Sequence, residues 1–331
     1  MIKIFLKSHP MHKKIAPLFD LLMISRPTLF FSVWVMICIG MYIGMFLTHQ
    51  NLSVNITEFN YKTIMMFAGI SLICAGTFIV NQLSDIEGDK INQKLFIVGN
   101  IVTPEKALVI SRIMPVVGAV AILISKWIVI IPALLIYFFW GKLYNDKQYD
   151  WKSKPSLGFL CNMVCGYLLA LSGVMYTSHN FSMLLVIKSL LYILPFLFAY
   201  ASVVLLANIP DIEGDKGTNK KTFTVVYGVR NTVILSTFMC VFSLLLGLYL
   251  WEPLSSTAAL SALPFFLFAT FRGQNKDIIR SIRYPILLLN FYVLTIYPLL
   301  IFPVFISYYL TKYYYWHRFS IHYPTLLVDN D

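Results

Sequence analysis

The feature that most constrains this chain is a succession of apolar runs, each close to the roughly 20 residues a helix needs to cross the hydrocarbon core of a bilayer. Nine such runs read as transmembrane helices, near 28–48, 61–82, 104–125, 127–144, 156–178, 183–207, 230–250, 255–272 and 284–310. Hydrophobic residues make up 58% of the 331 positions and charged residues only 12%, against about 25% charged in soluble domains. The sequence therefore predicts an all-α integral membrane protein with a single transmembrane domain spanning 1–331.

Charge supports the count. Lysine and arginine collect on the cytoplasmic loops of membrane proteins, and the nine-span reading places 21 of the 26 basic residues on one side. They occupy the N-terminal segment and the loops after the second, fourth, sixth and eighth spans. The N-terminus is accordingly expected in the cytoplasm and the C-terminus opposite. The net charge of +11 then describes a membrane face attracted to anionic lipid headgroups, and no nucleic-acid motif accompanies it. The segment "MIKIFLKSHPMHKK" is basic but lacks the long apolar core and small-residue site of a cleaved signal peptide. Cys161 and Cys165 are spaced too widely for a CxxC pair, and the histidines are scattered, so zinc, haem and dithiol chemistry are set aside.

The second constraint is a repeat. "NQLSDIEGDKIN" at 81–92 and "NIPDIEGDKGTN" at 208–219 each follow an apolar run. Four spans separate them, so both face the same side. The repeat suggests a duplicated bundle, with halves 26–144 and 156–272 and a final helix 284–310. On a helix, Asn81, Asp85 and Asp89 fall on one face, as do Asn208, Asp211 and Asp215. Glu87 and Glu213 fall on the opposite side. Gly88, Gly214 and Pro210 weaken helix at these points, so each motif is expected to fray into a loop at the membrane surface.

Facing carboxylates repel one another and call for cations. Carboxylate oxygens suit a hard ion, and Mg²⁺ typically takes one or two carboxylates while its remaining positions hold water and substrate phosphate. Two such half-sites ringed by Lys94, Lys152, Lys216, Lys220 and Lys221 fit a metal-bridged diphosphate. The competing reading is an ion-coupled transporter, in which acidic residues mark an ion path. Transporter carboxylates lie near the midplane, whereas these lie at span ends among basic loops. A CDP-alcohol phosphotransferase would carry one long aspartate motif rather than two separated copies.

With these motifs the chain resembles the UbiA superfamily of intramembrane prenyltransferases, which pairs NDxxxDxxxD-like and DxxxD motifs at the ends of helices 2 and 6 in a nine-helix fold. The resemblance extends to "SRPTLF" at 25–30, "YNDKQYDWKSKP" at 144–155 and "GDKGTNKKTFTVVYG" at 214–228. Three departures stand out. Gln82 replaces the aspartate of the common Asn-Asp start, and Lys147, Gln148 and Asp150 stand where many members carry arginine and prolines. "INQKLFIVG" after the first motif lacks the Arg-Pro pattern of ubiquinone and menaquinone enzymes, and looks closer to members acting on carotenoids or other acceptors.

The resemblance implies transfer of an isoprenoid from a prenyl diphosphate to a lipophilic aromatic or polyene acceptor. Mg²⁺ would be held by Asn81, Asp85, Asp89, Asn208, Asp211 and Asp215, with the four aspartates catalytic. An allylic cation needs aromatic walls, and Tyr144, matching the family's tyrosine, is the expected cavity residue. "YYYWHRF" at 313–319 reads as an aromatic belt at the outer surface.

Overall fold

The computed structural model describes residues 10–48, 60–92, 97–178, 182–325 and 328. Twelve helices among the described residues account for the architecture. They are α1 (Pro10–Met23), α2 (Phe30–Leu47), α3 (Tyr61–Ile91), α4 (Pro104–Ser125), α5 (Ile130–Ile136, extended to Tyr144 by a π-helical segment) and α6 (Pro155–Thr177). They continue with α7 (Met183–Ala207), α8 (Ile212–Gly217), α9 (Phe223–Tyr249), α10 (Pro253–Arg272), α11 (Asn275–Ile296) and α12 (Ile301–Phe319). Nine helical stretches among the described residues are long and apolar enough to cross a membrane, matching the expected number.

Helix α2 sits at the centre, packed on α6, α7 and α11. Lipid offers helices no hydrophobic reason to associate, so contact depends on close approach of backbones at small residues. The α2–α6 crossing shows this directly. A Cβ on Gly40 would lie 1.7 Å from the Ala170 carbonyl oxygen, and one on Gly173 would lie 2.1 Å from that of Ile37. Polar side chains tie helices elsewhere: Trp34 Nε1 donates to Ser71 Oγ at 2.8 Å, joining α2 to α3.

The last third departs from expectation. The helix expected at 284–310 begins earlier, at Asn275, and stops at Ile296. Pro298 supplies no N–H to continue it, and after one turn at Pro298–Leu300 the chain reverses into α12. At 1.5 Å per residue, α12 covers about 28 Å, close to the thickness of the hydrocarbon core. It runs from Leu300, in the same cavity wall as Ile64 and Phe67, to Phe319, packed with Leu83 and Ile86 beside the first motif.

The tyrosine-rich segment at 313–319 is therefore not an outer belt. Tyr314 is buried and donates to Asp20 Oδ1 of α1 at 2.6 Å, while Arg318 pairs with Asp20 Oδ2 at 3.2 Å. Helix α1 and the end of α12 meet on the motif face, so the expected opposition of the two ends does not hold for the described residues. This arrangement adds Arg318 to the basic side.

Candidate active site

Helix α3 carries the first motif without a break, ending only at Ile91. The fraying expected there does not occur, because the motif is packed against the second one and its backbone stays shielded. The second motif behaves closer to expectation: Pro210 ends α7 in a tight turn at Ile209–Asp211, and helix resumes as α8. The two motifs touch at their glycines. A Cβ on Gly214 would meet the Gly88 carbonyl oxygen at 2.5 Å and Asn92 Nδ2 at 2.4 Å. Asn92 clasps the junction, accepting from Gly214 N at 2.7 Å and donating to the Asp211 carbonyl at 3.4 Å.

This crossing brings Asp85, Asp89 and Asp215 to one partly buried pocket, with Asp89 and Asp215 among the buried charged residues. Asp211 sits at the turn beside them, half-buried. Glu87 and Glu213 are exposed on the far side, as their helical phase requires. Asp85 Oδ1 is gripped by two lysines, Lys152 Nζ at 2.6 Å and Lys220 Nζ at 2.5 Å. Lys152 also reaches Ser84 Oγ. Asp215 Oδ2 accepts from Thr222 Oγ1 at 3.0 Å, its other oxygen lies 4.0 Å from Lys220, and Arg26 stands 3.9 Å from Asp89.

The lysines respond oppositely to their surroundings. Burial holds Lys152 below the ordinary lysine value despite the neighbouring Asp85. Burial also depresses Lys220, but Asp85, Asp215 and Asp89 together outweigh it and raise its pKa. Of the other expected basic residues, Lys216 and Lys221 are exposed rather than enclosed with the aspartates, and Lys94 lies outside the described residues.

Asn81, one turn before Asp85, lines a chamber of about 230 Å³ inside the bundle, walled by Phe78, Trp140, Tyr144, Asn162 and Tyr200. Tyr144 sits at the end of the π-helical segment, which shifts the side-chain phase and turns Trp140 inward while leaving Phe138 exposed. Trp140 Nε1 donates to Asn162 Oδ1 at 3.1 Å, and Asn145 donates to the Trp140 carbonyl at 2.7 Å. Asn208 lies to one side, lining a small cleft with Tyr144, Lys152 and Thr222. Ser32, Met36 and Tyr200 are shared with a second cavity of about 200 Å³ between α2, α7, α10 and α11, so the two cavities lie side by side.

Sequence reasoning missed Asn92, Thr222 and Asn162; Trp140 was among the helix aromatics it offered as walls, beside Tyr137, Phe138, Phe139 and the chosen Tyr144. Asn92 closes the quoted motif itself, and its signal was the polar residue at each copy's end.

The donor set is oxygen only, which suits Mg²⁺. Among the described residues no three His, Cys, Asp or Glu side chains converge enough to enclose an ion alone.

A model of the UbiA prenyltransferase family matches residues 33–283. Digeranylgeranylglyceryl phosphate synthase of Sulfolobus acidocaldarius is 28% identical over 202 residues, 60% of this chain and 64% of that protein. The enzyme of the same name from Sulfurisphaera tokodaii is 26% identical over 189 residues, 54% of this chain and 63% of its own length. In both cases the match spans less than two thirds of the relative. Among solved structures, a UbiA homologue from Archaeoglobus fulgidus bound to GPP and Mg²⁺ superposes with TM-score 0.62 at 13% identity, covering 84% of this chain and 99% of that one. A digeranylgeranylglyceryl phosphate synthase structure gives 0.58 at 18% identity, covering 87% and 98%. With the paired aspartate motifs joined over an aromatic chamber and the family match spanning most of the helices, this chain belongs to the UbiA prenyltransferase family.

Proposed function

We propose that this protein transfers an isoprenoid chain from a prenyl diphosphate to a lipophilic acceptor, with the diphosphate bound where the two motifs cross. The observation that carries this reading is Asp85 held between Lys152 and Lys220 at the head of an aromatic chamber. Asp85, Asp89, Asp211 and Asp215, with Asn81 and Asn208 beside them, would hold Mg²⁺ against the diphosphate. Bound there, the metal supplies charge neutralisation of the leaving group.

The chain's own residues do the rest. Lys152 and Lys220 are two donors already aimed into the pocket, and both can turn from Asp85 to diphosphate oxygens, where charge accumulates as the C–O bond breaks. The prenyl carbon then lies among Phe78, Trp140 and Tyr144. Their faces stabilise an allylic cation by about 2 kcal/mol or more when water is absent, and none is a strong nucleophile. The adjoining cavity past Tyr200 would accommodate the isoprenoid tail once the shared wall of Ser32, Met36 and Tyr200 yields. The acceptor attacks the cationic carbon and loses a proton, so pyrophosphate and the prenylated acceptor are the products.

The basic residues on the motif face support a cytoplasmic orientation for it by the positive-inside rule. The repeated motifs are read as marks of duplicated halves, 26–144 and 156–272. For the acceptor, the names of the two relatives favour a glyceryl phosphate lipid over the aromatic or polyene class. Purified protein supplied with geranylgeranyl diphosphate and either a geranylgeranylglyceryl phosphate or a hydroxybenzoate tests both points. Mg²⁺-dependent pyrophosphate release with a prenylated product supports the reading; no release with any diphosphate refutes it.

A further inference from the structure

Helix α12 lies beyond the segment matched by the family, and it builds a cavity of its own. Between α2, α3 and α12 is a space of about 680 Å³, within the range of about 300–1,000 Å³ common for small-molecule sites. No charged side chain is among the described residues that line it. The Ser25 and Ser71 hydroxyls on its wall donate to the Leu22 and Phe67 carbonyls, so they are satisfied without a ligand. Along α3 the lining runs from Ile64 to Ala75, about 16 Å at 1.5 Å per residue. Exposed Ile64 and Phe302 open it toward the surface that the bilayer covers. The shape and chemistry suit one hydrocarbon chain lying along the helices.

Its position says which chain. One aromatic layer separates it from the catalytic chamber: Phe30, on its wall, stacks on Phe78 of the chamber with centroids 6.2 Å apart. The transfer reaction needs two lipophilic substrates at once, and the cavity past Tyr200 takes one of them. We propose that the α12 cavity binds the hydrocarbon chain of the acceptor, presenting its head to the chamber past Phe30. This rests on the transfer reaction proposed above.

Ala68→Phe and Ser307→Phe, on facing walls at positions that are not buried, fill the space without overpacking the core. A geranylgeranylglycerol ether carrying a terminal diazirine is photo-crosslinked to the protein in phosphatidylcholine nanodiscs without prenyl diphosphate, and the label is mapped by peptide mass spectrometry. The label is expected on peptides holding Phe30, Ile64–Ala75 or Pro303–Leu310, falling about tenfold in either variant as methylene contacts are lost. In turnover, the acceptor KM should rise about tenfold while the prenyl diphosphate KM stays within about twofold. Label elsewhere, label unchanged by both variants, or equal capture of a diazirine phosphatidylcholine would overturn the proposal. If label maps to the cavity but wild-type protein releases no pyrophosphate, the transfer reading fails while the chain site stands.

Discussion

Replacing Gly214 with alanine should cripple the site, whereas the same change at Gly88 should be tolerated. The two glycines occupy equivalent places in the repeat, yet they face unequal space. An added Cβ at position 214 would lie 2.5 Å from the Gly88 carbonyl and 2.4 Å from Asn92 Nδ2, whereas one at position 88 would find its nearest neighbour, the Gly214 carbonyl, at 3.8 Å. Carbon contacts settle near 3.5–4.0 Å, so Gly214→Ala forces α8 and α3 apart by about 1 Å. The Asn92 side chain can swing aside; the Gly88 carbonyl belongs to an unbroken helix and cannot. A displacement of about 1 Å in a catalytic constellation costs on the order of 10² in rate. Alanine favours helix over glycine by about 1 kcal/mol, so the protein should not lose much thermal stability.

The assay is Mg²⁺-dependent pyrophosphate release by the two purified variants, with detergent melting curves alongside. We expect a loss of about 100-fold for Gly214→Ala and less than about threefold for Gly88→Ala. Adding Asn92→Ala to Gly214→Ala should restore little, because the backbone contact persists. Equal activity in the two single variants would refute the claim that the motifs are joined through this crossing.

Asp85→Asn and Asp211→Asn should each lower prenyl transfer by about 10²–10³ or more, the scale of losing one charge-stabilising group, with the protein still folded; wild-type rates at saturating Mg²⁺ would sink the site. Glu87→Gln, on the exposed side, should change the rate by less than about twofold, and abolished turnover would show that the helical phase misassigns the ligands. Tyr314→Phe removes one of the two partners of buried Asp20 and should cost about 1–3 kcal/mol, read as a lowered melting temperature with KM for the prenyl diphosphate unmoved.

The spans and the motif face were legible because both rest on local pattern: an apolar run of bilayer length, and carboxylates at helical spacing. Glu87 was separable from Asp85 and Asp89 by phase alone. What failed was non-local. Gly88 and Gly214 look like helix breakers one at a time, and only their meeting across 126 positions of sequence shows that they permit contact. Lys152 and Lys220 could not be told from Lys216 and Lys221 by charge, since the difference is the direction each side chain takes from its loop. The reversal at Pro298 was missed because no charged residue separates the end of α11 from the start of α12, so the two read as one apolar run. The contact that fixes the far end of α12 is equally remote: Tyr314 meets Asp20 across 294 positions of sequence.

The carboxylates' need for cations has an answer before any substrate arrives. Lys152 and Lys220 both bond the same oxygen of Asp85, so the pocket folds near charge balance, whereas leaving a buried charge unpaired costs about 3–5 kcal/mol. The same pairing sets a constraint on catalysis. Under the proposed reading a metal–diphosphate would compete with the lysines for Asp85, and the competition is even only if the displaced lysines find new anionic partners at once. Diphosphate oxygens are such partners. Metal alone should therefore bind weakly and diphosphate alone should bind weakly, while the two together bind cooperatively. Titration of each ligand with and without the other would show this coupling as a Kd shift, and independent binding would mean that the lysines stay on Asp85 throughout.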